Sequence, residues 1–153
     1  MVLTAHVAIG IALSQEIHNP LISWPASFGF HFLGDLVPHW DALTGSSKEK
    51  SIQPWRWILM ILDIVCGLTL GLFFVFRALW FFGNAWQALN ILGACFLSVL
   101  PDLVELPHVL LGKSNKISLL MLSIQRKIHI KQKLPWGFVT QILVIALAVF
   151  LAF

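Results

Sequence analysis

The fold is decided by residues 55–82, which read WRWILMILDIVCGLTLGLFFVFRALWFF. At a rise of about 1.5 Å per residue, a helix over this run is longer than the roughly 30 Å hydrocarbon core of a bilayer. Tryptophans lie near both of its ends, as is common where membrane helices meet the water interface. The run therefore predicts a transmembrane helix that is long enough to tilt.

The composition of the whole chain agrees with a membrane location. The 153 residues are 58% hydrophobic and only 11% charged, and the mean hydropathy is +0.85, whereas soluble domains carry about 25% charged residues. We therefore expect an integral membrane protein in which residues 1–153 form one helical domain. The net charge of +3 is small and scattered, so a nucleic-acid partner is not expected.

Hydrophobic segments divide the chain into about five expected helices. The first two are short and are expected to pair as a hairpin that need not cross the bilayer fully, and Gly83 with Asn84 predicts a tight turn between the third and the fourth. The predicted fold is thus an all-α, polytopic membrane bundle. The segments cover residues 2–15, 21–37 (ended by Pro38), 55–82, 85–100 (ended by Pro101) and 136–153.

Basic residues indicate how such a bundle is oriented. If every segment crosses, the loops 38–54 and 101–135 lie on the same face as the N-terminus, and the opposite face carries only Arg77. Because lysine and arginine favour the cytoplasmic side, we expect the face with the basic loops to be cytoplasmic. The expected location is a bacterial or archaeal cytoplasmic membrane, which the protein crosses several times. The basic residues of the loaded face are Lys48, Lys50, Lys113, Lys116, Arg126, Lys127, Lys131 and Lys133, with Arg56 at its edge.

Residues 117–133, ISLLMLSIQRKIHIKQK, have two interpretations. Apolar residues at helical spacing and basic residues at the far end favour an amphipathic helix on the inner leaflet, where each basic residue near anionic lipid contributes about 1 kcal/mol. An ordinary basic loop beside the membrane fits equally well. His129 lies in this basic run and is expected to face solvent or lipid. The apolar residues are Ile117, Leu120, Met121, Ile124 and Ile128.

Ionisable residues are concentrated in the stretch 31–41, HFLGDLVPHWD. His31 and Asp35 are four residues apart, so they share one face of a helix. His39 and Asp41 follow Pro38, at the expected cytoplasmic end of the second segment. A sequence this apolar needs a reason to hold so many polar groups in one place.

Other ionisable groups are expected near the same membrane face. His6 lies on the first segment, and Asp63 lies roughly 12 Å down the third helix. Asp102 and Glu105 are three residues apart after the fourth segment, and His108 follows them. The predicted topology thus brings residues from distant parts of the chain to one end of the bundle.

A divalent metal ion explains this collection. A charged side chain at membrane depth costs at least about 2.5–3.5 kcal/mol unless it is paired or functional, and a cation accepts both carboxylates and neutral imidazoles. The mixture favours zinc, as one or two ions, with manganese or iron as alternatives. The candidate ligands are His6, His31, Asp35, His39, Asp63, Asp102 and His108.

Each candidate also has a structural interpretation. His31 and Asp35 would make a buried hydrogen-bonded pair without any metal, and Asp102 would cap a helix that begins after Pro101. Glu105 and Asp41 lie near the expected mouth and are the candidates for a catalytic general base. These alternatives stay open on the sequence alone.

Three short motifs carry a family resemblance: TAHVAIG around His6, HFLGD followed by PHWD, and LPD at Asp102. Through them the chain resembles the membrane-bound metal-dependent hydrolases, inner-membrane hydrolases also described as LexA-binding. More distantly it is similar to the helical zinc-dependent phospholipase C group, which binds a zinc cluster between helices. The resemblance implies hydrolytic activity and metal ligation by His6, His31, Asp35 and Asp102.

The leading functional hypothesis is therefore a metal-dependent hydrolase at the cytoplasmic membrane surface. Its expected substrate is a membrane lipid or a lipid-linked ester or phosphoester, since the site would lie close to the headgroups. The alternative is a small non-enzymatic carrier or a proton or metal-ion relay that uses the same histidines and aspartates. So few helices would require a homo-oligomer for transport.

Overall fold

Helices account for nearly all of the secondary structure in the computed structural model, which describes residues 1–40, 53–112, 115–130, 132 and 135–153. The all-α prediction is confirmed for these residues. The helices are α1 (Leu3–Glu16), α2 (Pro20–Asp35), α3 (Pro54–Phe76) with a π-helical extension (Arg77–Phe81), α4 (Ala85–Leu111), α5 (Lys116–Ile128) and α6 (Trp136–Ala152).

Helix α1 lies at the centre of the bundle and packs against α2, α3, α4 and α6. Small and apolar side chains allow this, and the core forms around Ile11 of α1, Phe74 of α3 and Ile91 of α4. The outer faces of α3 and α6 expose large apolar residues such as Leu68 and Leu143. A belt of this kind suits a lipid environment better than water.

Two helices are long and apolar enough to cross a membrane, namely Pro54–Phe81 and Ala85–His108. Helix α6 is apolar but shorter, and α1 and α2 have 14 and 16 residues. The first two segments are thus as short as predicted. Five complete crossings remain a prediction.

The predicted end of the fourth segment at Pro101 is wrong. Helix α4 continues through Pro101 and Pro107 to Leu111 and is capped by Gly112 in the left-handed conformation. Proline removes one backbone N–H, but neighbouring helices can compensate within a packed bundle, and Pro101 is fully buried. Asp102 therefore lies inside a helix, and its alternative interpretation as a cap is also wrong.

Polar side chains of α4 hold the far end of α1. Asn90 is fully buried, and its amide nitrogen donates to the carbonyls of Ser14 and Ile17 at 3.1 and 2.9 Å. Gln87 donates to the carbonyl of Ser14 at 2.8 Å. These bonds satisfy carbonyls that a helix end leaves without partners, so they fix α1 against α4.

The segment after α4 forms a helix from Lys116 to Ile128, not a loop. A capping box starts it, because the side chain of Asn115 accepts from the backbone of Ser118 while the Ser118 hydroxyl accepts from the backbone of Asn115. Helix α5 packs on α4 and α2. Gln125 is half-buried, whereas the exposed face carries apolar residues and then basic ones, namely Ile117, Leu119, Leu120, Arg126 and Lys127.

Candidate metal centre

Three helices bring His6, His31 and Asp102 together at one end of the bundle. These three residues are called the centre below. One donor atom from each lies within 4.8 Å of the other two. The two imidazole rings are stacked, with their centroids 4.0 Å apart. His6 comes from the start of α1, His31 from the end of α2 and Asp102 from α4, so this convergence depends on the packing of all three helices.

Asp35 lies beside the two histidines. Its Oδ1 atom is 3.4 Å from Nε2 of His6, and its Oδ2 atom is 3.4 Å from Nε2 of His31. The same Oδ1 atom is 2.6 Å from the Met1 amine. The four-residue spacing of His31 and Asp35 thus puts both on the same side of α2, as predicted.

A backbone carbonyl fixes the orientation of the His31 ring. Nδ1 of His31 lies 2.7 Å from the carbonyl oxygen of Ser98, which can only accept, so Nδ1 carries the proton. In the neutral ring the single lone pair is then on Nε2, which is 3.5 Å from Oδ1 of Asp102. A carbonyl oxygen has two lone pairs, so the Ser98 carbonyl can accept from His31 within helix α4.

The His6 ring is held less closely, since its Nε2 atom lies 3.4 Å from Oδ1 of Asp35, a long distance for a hydrogen bond. The ring is 0% exposed, and among the described residues neither ring nitrogen makes a close hydrogen bond. Nε2 of His6 lies 3.9 Å from Oδ2 of Asp102, beyond hydrogen-bond range. Buried polar atoms are almost always paired in native proteins, so a buried ring with only long contacts to two carboxylates is unusual.

Gln125 is a neighbour of the centre that the sequence did not indicate. Its amide nitrogen lies 3.0 Å from Nε2 of His31 and 3.0 Å from Oδ1 of Asp102. The available signal is its position seven residues after Ser118, which is buried on the inner side of α5. That spacing places Gln125 on the same inner face.

Asp63 is used elsewhere, at the start of α1. Its two carboxylate oxygens accept from the backbone N–H groups of Leu3 and Thr4 at 2.7 and 3.0 Å. A carboxylate next to a helix N-terminus is favourable because it offsets the positive end of the helix dipole. Asp63 thus positions α1, and with it His6.

The remaining predicted ligands lie outside the group formed by His6, His31 and Asp102. His39 is fully buried just after α2, where its Nδ1 atom is 2.7 Å from the carbonyl of Val37 and its ring lies 4.2 Å from that of His129. Burial and the nearby N-terminal ammonium lower the pKa of His39 to about 4. His108 is half-buried in the last turn of α4.

Of the two candidate bases, Glu105 is buried and lies one helical turn after Asp102 on α4. That spacing puts the two carboxylates on adjacent parts of the same helix face. Asp41 lies outside the described residues. The catalytic roles predicted for both therefore remain predictions.

The donor set suits a divalent cation. Two imidazoles and one carboxylate are the combination typical of a zinc site that keeps an open position, and the carbonyl that orients His31 is the kind of outer contact that ligating histidines usually have. The Asp102 side chain is 32% exposed, against 0% for His31. Asp102 is therefore the side from which a ligand can reach the centre.

No protein-family model, curated protein or solved structure matches this chain.

Proposed function

We propose that the protein is a metal-dependent hydrolase of the inner membrane that acts on a lipid or lipid-linked phosphoester at the cytoplasmic face. The observation that carries the proposal is the buried His6 ring, which stands among the donor atoms of His31, Asp35 and Asp102 and has only long contacts, 3.4 Å to Asp35 and 3.9 Å to Asp102. A buried polar atom without a good hydrogen bond costs about 1–3 kcal/mol. A bound cation offsets that cost.

The chain supplies the parts that such a reaction needs. A divalent ion at the centre would polarise a phosphoryl oxygen and make water a stronger nucleophile at neutral pH. The Ser98 carbonyl keeps the Nε2 lone pair of His31 directed at the centre. Glu105, one turn along α4, is our candidate for accepting the proton of the attacking water.

The outer face of α5 supports a lipid substrate. Ile117 and Leu120 are more than half exposed, and Arg126 and Lys127 are exposed two turns further along the same helix. Apolar residues followed by basic ones are typical of a helix that lies at an anionic membrane surface. Because α5 packs on α4 and α2, which carry Asp102 and His31, an anionic headgroup bound at α5 would lie close to the donor atoms.

Metal content is the first test. Detergent-purified protein loaded with Zn²⁺ and then desalted should retain one or two ions per chain by elemental analysis. The His6→Ala and His31→Ala variants should lose nearly all of this Zn²⁺, because a neighbouring residue outside the ligand set cannot replace a missing ligand. His18→Ala is the matched control, since His18 is exposed beyond the opposite end of α1.

Activity is the second test. Phospholipids and a synthetic phosphodiester would be incubated with the wild-type protein, with and without a chelator. We expect hydrolysis that the chelator abolishes and Zn²⁺ restores, and that His31→Ala lacks. Wild-type protein that retains no Zn²⁺ above the two variants would refute the proposal.

A proton or metal-ion relay is the second candidate, because polar side chains continue along the bundle beyond the centre. Ser27, Asn90 and Ser14 are all buried between helices. A relay needs groups that hand protons to each other, yet the hydroxyls of Ser14, Ser27 and Ser98 each donate to a carbonyl of their own helix. Chelator-independent proton flux in liposomes, lost in His31→Ala, would favour the relay.

A further inference from the structure

Gln125 connects α5 to two donor atoms of the centre at once. Its amide nitrogen is 3.0 Å from both Nε2 of His31 and Oδ1 of Asp102. Both atoms are acceptors, so the amide is oriented with its nitrogen toward the centre and donates one N–H to each. These are the same two atoms that would hold a metal ion.

The chemistry of His31 makes the two arrangements exclusive. Its Nδ1 atom carries the proton that is donated to the Ser98 carbonyl, so Nε2 has one lone pair only. That lone pair can accept the N–H of Gln125 or bind a cation. A metal ion at the centre therefore has to displace the amide of Gln125.

The displacement affects α5 as a whole. Among the described helices α5 packs on α4 and α2 only, and its outer face exposes large apolar residues such as Ile117 and Leu120. A helix with so few neighbours gains a large share of its docking from its two hydrogen bonds to His31 and Asp102.

We propose that Gln125 is a residue of the metal centre that sets its affinity, by competing with the ion for His31 and by linking ion binding to the release of α5. The inference rests on the proposed function, because it takes metal binding at His6, His31 and Asp102 as given. Without a metal ion, the Gln125 amide covers the donor atoms of His31 and Asp102. In the loaded form α5 loses this attachment and is free to engage headgroups at the membrane surface.

The sign of one mutational effect tests the competition. Gln125→Leu removes both N–H donors at similar volume, so Zn²⁺ should bind roughly tenfold tighter than to wild-type protein, as expected when a hydrogen bond to a charged group no longer has to be broken. The measurement is a Zn²⁺ titration against a chromophoric indicator. Ser123→Ala is the matched control on α5, because its hydroxyl donates only to the carbonyl of Leu120, and it should leave the affinity unchanged.

The link to α5 has a readout that needs no metal. Hydrogen exchange of the α5 amides should be about tenfold faster in Gln125→Leu than in wild-type protein when no Zn²⁺ is added. Zn²⁺ should accelerate exchange in the wild-type helix and change little in the variant. Gln125→Ala serves as a second variant, and retention of helical circular dichroism shows that both variants fold.

The outcomes separate the two proposals. Zn²⁺ binding that is weaker or unchanged in Gln125→Leu, with His31→Ala still abolishing it, overturns the competition while the hydrolase proposal stands. Weaker binding would mean that the amide oxygen is itself a ligand. Absence of Zn²⁺ binding in the wild-type protein and in every variant overturns both proposals.

Discussion

At the scale of single residues, the centre contains two stacked histidines that are held in different ways. His31 is oriented by the Ser98 carbonyl at 2.7 Å, whereas Nε2 of His6 lies 3.4 Å from Asp35 and 3.9 Å from Asp102. A buried histidine that serves only for packing usually makes at least one close hydrogen bond. The asymmetry therefore supports a ligand at the Nε2 atom of His6.

His39 gives a prediction about pH. Its pKa in the folded protein is about 4 because of burial, below its ordinary value of 6.5. Between pH 4 and pH 6.5 the unfolded chain thus binds more protons than the folded protein. The free energy of unfolding therefore decreases as the pH falls from 6.5 to 4. This residue accounts for up to about 3 kcal/mol of the loss. His39→Gln should flatten the fall in unfolding midpoint between pH 7.5 and pH 4.5.

The control for this measurement is His18→Gln, which changes an exposed histidine. Its unfolding midpoint should follow the wild-type protein across the same pH range. If His39→Gln loses as much stability on acidification as the wild-type protein does, His39 is not the group responsible.

At the scale of helices, the approach of α1 to α4 determines whether the centre forms. A Cβ atom on Gly10 would lie 2.9 Å from the carbonyl oxygen of Ala94 and 3.0 Å from the hydroxyl of Ser98. Gly10 shares a face of α1 with His6, one turn away. Gly10→Ala should therefore push α1 from α4, reduce stability by about 1–3 kcal/mol and weaken Zn²⁺ binding, as measured by thermal unfolding and by titration.

Gly29→Ala is the matched control. Gly29 lies inside α2 with nothing within 4 Å of an added Cβ, so alanine should stabilise the helix by about 0.5–1 kcal/mol and leave Zn²⁺ binding unchanged. Equal Zn²⁺ affinity in Gly10→Ala and Gly29→Ala would show that the α1–α4 spacing does not control the centre.

The helices were the most predictable part of the fold, because long apolar runs leave few other options. The helix end predicted at Pro101 is wrong, since proline often ends a helix but is tolerated where a packed bundle compensates for the missing N–H. The order of the helices predicts that His6, His31 and Asp102 lie at the same end of the bundle, where the structure places them. The role of Asp63 in capping α1 did not, since it depends on a backbone contact across 60 residues of chain.

At the scale of the whole molecule, the two ends of the bundle differ in chemistry. The histidines and aspartates lie at one end with α5. At the other end Arg77 packs among aromatic rings, with its guanidinium carbon 5.0 Å from the centroid of Phe82 and 4.8 Å from that of Phe153. An arginine held by aromatic side chains is common at a membrane interface. The end with the histidines and the end with Arg77 therefore mark the two expected membrane surfaces.

This polarity predicts the accessibility of each end. Among the described residues α4 is the one complete helix between Phe82 and Ser123, which lies within α5, so the two positions should lie on opposite sides if α4 crosses the membrane. Each new cysteine is introduced into a chain with Cys66→Ser and Cys95→Ala. Phe82→Cys should react with an impermeant thiol reagent in intact cells, whereas Ser123→Cys should react only after permeabilisation. The reason is that the basic face is expected in the cytoplasm. Labelling of both positions from one side would mean that α4 does not cross, and a reversed pattern would place the metal centre on the outer face, away from cytoplasmic substrates.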